Sequence, residues 1–153
     1  MLRFILSALL PLSLSSFAFC QQINATKLGS PVSLYNEGGV SISSQLVECF
    51  NVQRNEKMNY KLLTVSNQNG SPVSLKIRED MFYDGECRTC ENEEYTFVFE
   101  LNANETKAGS CYSDGNPYLA VFESMKDGYI KETLSDFKIN VVRLHWFEAI
   151  SKD

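Results

Sequence analysis

Apolar residues recur along this chain at every second position, and nowhere convincingly at the three-to-four spacing of a helix. Val73, Leu75 and Ile77 alternate with Ser74, Lys76 and Arg78; Tyr95, Phe97, Phe99 and Leu101 alternate with Thr96, Val98 and Glu100. Successive side chains of a strand point to opposite faces, so a period of two marks strands with one face toward a core. Val40 to Val52, Tyr60 to Val65, Tyr118 to Phe122 and Phe137 to Phe147 are further runs rich in branched and aromatic residues, which suit a pleated, half-buried surface. Turn signals separate the runs at Asn69-Gly70, Asp84-Gly85, Asp114-Gly115-Asn116-Pro117 and Asp127-Gly128. Asn69-Gly70 reads as a hairpin turn, because both residues tolerate positive φ. Short strands at regular spacing predict an all-β fold, an antiparallel β-sandwich of immunoglobulin-like size, over residues 39–147. Residues 21–38, polar and punctuated by Gly29, Ser30-Pro31 and Gly38-Gly39, are expected to be a flexible lead-in, and residues 148–153 a short tail.

The start of the chain follows a different pattern. Arg3 precedes an apolar run from Phe4 to Phe19, the layout of a signal peptide, here residues 1–20. A membrane span needs about 20 predominantly apolar residues. This run is shorter and is diluted by Ser7, Ser13, Ser15 and Ser16. Cleavage after Cys20 or after Ala18 both satisfy the small-residue rule, and the first leaves an even number of cysteines. The expected destination is outside the cell or the ER/Golgi lumen, with no membrane span in the mature chain. The formal net charge of −5 becomes about −6 when Arg3 is removed. An acidic chain with scattered lysines has no electrostatic footprint for nucleic acid or an anionic membrane.

That compartment sets the cysteine chemistry. Cys49, Cys87, Cys90 and Cys111 remain after cleavage at Cys20, and oxidised secreted domains use such cysteines as structural disulfides. Four cysteines allow three pairings. Cys87-Arg88-Thr89-Cys90 has the spacing of a redox pair, but Glu91, Glu93 and Glu94 follow it and would raise a thiol pKa. A zinc site would need reduced thiolates and a second close-spaced pair. Because bridging each other closes only a small loop, Cys87 and Cys90 are expected to take different partners, Cys111 one of them and Cys49 the other. Three triplets fit the glycosylation acceptor: Asn24-Ala25-Thr26, Asn104-Glu105-Thr106 and Asn69-Gly70-Ser71. Asn24 and Asn104 are the better candidates, since Asn69 has a competing turn role.

No residue set assembles into a catalytic site. His145, the one histidine, sits in a strand-like segment, and no nucleophile motif accompanies it, so no enzyme activity, catalytic residue, cofactor or metal is expected. The acids Glu79-Asp80, Asp84, Glu86, Glu91, Glu93 and Glu94 fit no calcium loop and read as solvated loop charge. Tyr95, Phe97, Phe99, Tyr118 and Phe122 line either a ligand cleft or the core, and strand spacing favours the core.

Over residues 38–142 the order of motifs resembles the GOLD (Golgi dynamics) domain of the ER-to-Golgi cargo-receptor family. Such a domain opens on a Glu-Cys-Phe-like strand, here Glu48-Cys49-Phe50, followed by a hairpin resembled by Asn69-Gly70-Ser71-Pro72-Val73. A Tyr-x-x-Cys-Phe-like strand is similar to Tyr118-Leu119-Ala120-Val121-Phe122, and the closing strand to Thr133-Leu134-Ser135-Asp136-Phe137-Lys138-Ile139. The family disulfide joins the two motif cysteines, but the second position here is Val121, so Cys49 must pair elsewhere or stay free. The family's coiled coil, transmembrane helix and coat-binding tail have no counterpart. The resemblance implies a GOLD-like sandwich that binds a protein, cargo or a membrane receptor, in early secretory traffic. Signal, sequons and disulfides equally fit a secreted extracellular or surface-interaction factor.

Overall fold

The strand with the clearest alternation is the centre of one sheet. The computed structural model describes residues 22–113, 116–126 and 128–146. The signal peptide expected at residues 1–20, the Asp114-Gly115 and Asp127 turn positions and the tail at 148–153 lie outside the described residues. Among the described residues nine strands follow in order: β1 (Ile23–Glu37), β2 (Val40–Asn51), β3 (Glu56–Asn67), β4 (Val73–Tyr83), β5 (Glu86–Cys87), β6 (Thr96–Leu101), β7 (Thr106–Ala108), β8 (Ala120–Lys126) and β9 (Leu134–Trp146). They form two antiparallel sheets packed as a sandwich, as the alternation predicts.

In the first sheet β1 pairs β2 and β2 pairs β3. Thr64 of β3 pairs both Ser43 and Ala108, and Tyr60 pairs both Val47 and Phe122, so β7 and β8 share the far side of β3. In the second sheet Arg78 of β4 pairs both Thr96 and Asn140, and Phe82 pairs both Cys87 and Asp136. Strands β5 and β6 therefore share one side of β4, and β9 lies along the other.

The core is the set of inward positions. Val40 and Ile42 of β2, Leu63 and Val65 of β3, Val73, Leu75 and Ile77 of β4, and Phe99 and Leu101 of β6 are all buried in one cluster. Each such side chain contributes about 1.5–3 kcal/mol on leaving water. Strand β2 then changes faces. Its buried residues run Val40, Ile42, Ser44 and then Val47, Cys49, Asn51, with unbroken pairing to β3. A shift from even to odd positions moves burial to the sheet's other side. There Val47 and Cys49 pack with Cys111, Tyr60, Leu62 and Tyr112 in a second, smaller cluster.

Three local expectations need correction. Residues 23–37 are not a flexible lead-in but an edge strand, register-paired with β2 from Ile23 to Glu37. Its burial is almost wholly exposed, so it has no apolar alternation to read. Gly29, at φ 72°, lies in an irregularity between Leu28 and Val32, and the Gln45 amide donates to the Leu28 carbonyl there (3.0 Å). A break of this kind, with Lys27 and Pro31, blunts an edge against unwanted pairing. Second, Asn69-Gly70 is no hairpin: β3 and β4 belong to different sheets, and neither residue has positive φ. The link crosses between sheets on buried Asn67, whose amide donates to the carbonyls of Ser71 and Asn102 (both 2.8 Å) and accepts from the Asn69 backbone N–H (3.0 Å). The tight hairpin turns are Gly38-Gly39 and Asp84-Gly85, each with positive φ at both residues, as two-residue turns between twisted strands require.

Third, the disulfides join Cys49 to Cys111 and Cys87 to Cys90, each with Cα atoms 5.7 Å apart. The expectation that Cys87 and Cys90 take different partners fails because of sheet placement. Cys111 follows β7 and is buried against the outer face of the first sheet, beside Cys49. Cys87 ends the β4–β5 hairpin of the second sheet, where the chain turns back on itself within reach of Cys90.

Candidate functional site

Beyond Ile77 the inward face of β4 continues with the same period, but its chemistry changes. Glu79, Met81 and Tyr83 occupy the next inward positions, and all three line a cleft of about 480 Å³ between the sheets. Phe97 from β6 and Val121 from β8 close its sides. Two short 3₁₀ turns, Glu93–Tyr95 and Pro117–Leu119, bring Glu94, Tyr95, Pro117 and Tyr118 to the mouth. Each turn is capped by an asparagine side chain, Asn92 accepting from Glu94 N–H and Asn116 from Tyr118 N–H, the local satisfaction expected of Asn before a turn. The rings of Phe97 and Tyr118 stack across the mouth with centroids 4.4 Å apart, at the close end of the stacking contacts that add to simple burial.

Glu79 is the unusual group. It is 3% exposed, and its Oε1 has no hydrogen-bond partner. Burial favours the neutral acid and pushes its pKa up to about 8. A neutral carboxyl at the floor of an apolar cleft is a group whose charge a ligand can change. Tyr83 is also held neutral, its pKa pushed up to about 12 by burial first and then by nearby Tyr95, Glu132 and Tyr60. Its hydroxyl donates to the Phe122 carbonyl (2.7 Å) and so ties β4 to β8 across the cleft.

The backbone under Glu79 is held by one side chain. Strand β6 begins at Thr96, opposite Arg78, and β5 ends at Cys87, opposite Phe82. In the gap between them Thr89, itself buried, offers its hydroxyl. Thr89 Oγ1 donates to the Glu79 carbonyl and accepts from the Met81 N–H, both at 2.7 Å. The Arg88 N–H adds a bond to the Met81 carbonyl (2.9 Å). The Cys87–Cys90 loop thus supplies the ladder partners that no strand supplies, and buried backbone groups require such partners.

The structure sorts the sequence candidates. Tyr95, Phe97, Tyr118 and Phe122 border the cleft, whereas Phe99 is in the core; the ring of Phe122 packs edge-on to Tyr60 (5.8 Å). Glu79 and Asp80 are not solvated loop charge: both are buried, at adjacent positions and hence on opposite faces of β4. Asp80 pairs with Arg78 (3.0 Å) and accepts from the Asn140 amide (2.6 Å), so it is satisfied where Glu79 is not. Asn24 and Asn104 are exposed, while the Asn69 amide donates to the Gly38 carbonyl (3.0 Å) and Asn67 Oδ1 (2.9 Å). His145 lies in β9 opposite Ser74. Among the described residues no group of three or more His, Cys, Asp or Glu is placed to hold a metal, and no helix is long and apolar enough to cross a membrane. Met81, Tyr83 and Thr89 were not singled out from sequence; the signal for the first two is the continuation of the β4 alternation through Glu79. The chain matches no known protein-family model, no curated protein and no solved structure.

Proposed function

We propose that the chain is a non-catalytic binding module of the secretory pathway, secreted or held in the ER/Golgi lumen, that engages a protein partner at the cleft between its sheets. The observation that carries this reading is the cleft itself: aromatic walls and a single buried, unpartnered carboxyl, on strands held by two disulfides. Binding sites are typically apolar concavities with a few placed polar groups. The two disulfides fit an oxidising compartment, and exposed Asn24 and Asn104 are the acceptors such a compartment would glycosylate. The motif order similar to the GOLD domain directs the reading to cargo or a membrane receptor as partner.

A photo-crosslinking residue placed at Tyr118, at the mouth, tests the site against one at Val98, which is 60% exposed on the outer face of β6. A partner captured from position 118 and absent from position 98 supports the cleft. Equal capture from both positions overturns it. Glycosidase digestion of the native protein tests the compartment: an unglycosylated protein confined to the cytosol overturns the secretory reading.

A further inference from the structure

We infer that the cleft recognises a primary ammonium carried on an apolar stem, with Glu79 as its counter-ion. The inference rests on reading the cleft as the binding site and specifies the chemistry of what enters it. Charge complementarity points the same way from each element around the cleft. Strand β4 contributes Glu79, and the turn before β6 contributes Glu94; the lining includes no lysine or arginine. Tyr83, Tyr95 and Tyr118 are the other titratable groups that face it, and burial holds Tyr83 neutral. Lys61 of the opposite sheet lines a separate cleft with Asp136 and Phe137, and burial is the one cause acting on the Glu79 carboxyl.

The walls suit the rest of such a ligand. Stacked Phe97 and Tyr118 present ring faces and edges at the mouth, and a cation near a ring face is attracted by its quadrupole. Met81 and Val121 line the interior with aliphatic surface, against which a methylene or aryl stem loses its water. Glu79, 97% buried and with an oxygen lacking any partner, lies where the ammonium would meet it. An arriving ammonium supplies the missing hydrogen bond and the opposite charge together, and a charge-assisted bond is about twice as strong as a neutral one. A wholly apolar ligand would leave that oxygen unsatisfied, and a carboxylate-bearing one would meet only the protonated acid, with no opposite charge to pair.

This arrangement predicts a proton balance. Free, the Glu79 carboxyl holds its proton at pH 7; bound to an ammonium, it releases the proton to solvent and becomes a carboxylate. Amine binding at pH 7 therefore releases close to one proton per site, and affinity rises about ninefold from pH 6 to pH 7 and about fivefold from pH 7 to pH 8. A ligand that merely accepts a hydrogen bond from the protonated acid releases none and loses affinity over the same range.

Titration calorimetry on the intact protein with phenethylamine, phenethyl alcohol and 3-phenylpropionate tests this, each in two buffers of different ionisation enthalpy. The expected result is at least tenfold preference for the amine, with proton release for the amine alone. Wild-type proton release requires no variant, so a poorly folding Glu79→Gln does not decide the outcome; where E79Q folds, it should bring amine and alcohol to parity. A second arm replaces phenethylamine with an N-acetylated peptide containing one lysine. Binding of both probes assigns the ammonium to a protein partner's lysine, and binding of phenethylamine alone to a free amine; both support the inference. Preference for the alcohol or the carboxylate in the cleft, or amine binding without proton release, overturns the inference and leaves the cleft as a binding site. Absence of binding by all four probes overturns the inference, whereas the cleft as a protein-binding site is judged separately by the Tyr118 crosslink.

Discussion

The two halves of the inward face of β4 differ in how they are held. In the first half, Val73, Leu75 and Ile77 are wholly buried against Leu63, Val65, Phe99 and Leu101. In the second half, Glu79, Met81 and Tyr83 face the cleft. The first sheet changes with it: β2 buries its inner face beside the first half and its outer face, through Val47 and Cys49, beside the second. Both disulfides are in the second half. Cys49 pairs with Met58, two positions beyond the Tyr60 level, and Cys87 pairs with Phe82. Where apolar burial between the sheets gives way to a cleft, covalent bridges and a side-chain clamp hold the strands. The closed half depends on packing, the open half on cross-links, and the cleft of the open half is where the unpartnered Glu79 oxygen lies.

The largest effect should come from the bridge that spans the most chain. Cys49 and Cys111 are 62 residues apart, and closing a loop of that size restricts the unfolded chain by about 4 kcal/mol; the short Cys87–Cys90 loop is worth about 2 kcal/mol on the same scale. Replacing Cys49 and Cys111 with alanine should therefore lower unfolding free energy by about twice as much as replacing Cys87 and Cys90. Urea denaturation of both double variants measures this. A larger loss from the short loop would mean that it holds more of the open half than its length implies.

Next in size is the packing contrast. Leu75→Ala should cost about 3–4 kcal/mol, as large-to-small changes do in a core that cannot collapse, whereas Met81→Ala, half-buried beside open space, should cost about 1 kcal/mol. Equal losses in chemical denaturation would show that the cleft is packed as tightly as the core.

A third prediction uses pH. The Glu79 pKa is raised from 4.5 to about 8, so between those values the folded state holds a proton that the unfolded state has released. Stability from this group is fully present below about pH 4.5, falls as pH rises and is constant again above about pH 8. Its slope approaches about 1.4 kcal/mol per pH unit, or roughly 3 kcal/mol between pH 4.5 and 7. The difference between wild type and Glu79→Gln isolates this effect from that of every other titrating group. That difference should shrink toward acid pH; a difference independent of pH would mean that Glu79 is ionised in the folded protein.

The closed half was legible in the sequence and the open half was not, for one reason. Alternation in Val73, Leu75 and Ile77 announces a half-buried strand because each inward residue is apolar. At Glu79 the period continues but the residue type changes, so an inward carboxyl reads as a loop acid. Strand β1 was missed because an exposed edge has no apolar face to betray it. The crossing at Asn69 looks like a hairpin because the sequence shows a turn but not which sheet follows it. The cysteine pairing depends on the same information: Cys111 meets Cys49 only because β7 returns to the first sheet.

The smallest effect is the most local. Thr89 Oγ1 bridges the Glu79 carbonyl and the Met81 N–H, standing in for a strand along the gap between β5 and β6. Thr89→Val keeps the shape and removes both bonds. Leaving such groups unpaired costs about 1–3 kcal/mol when they stay buried, and the neighbouring cleft lets water reach them, so a loss of about 1–2 kcal/mol is expected. Thr89→Ser retains the hydroxyl and should recover most of it. Amide hydrogen exchange distinguishes the halves: in Thr89→Val the Met81 amide should exchange faster while the Leu75 amide stays protected, because local openings sample only the weakly held part of a structure. If both amides lose protection in proportion, the two halves open as one unit, and the clamp supports the whole sandwich rather than the floor of the cleft.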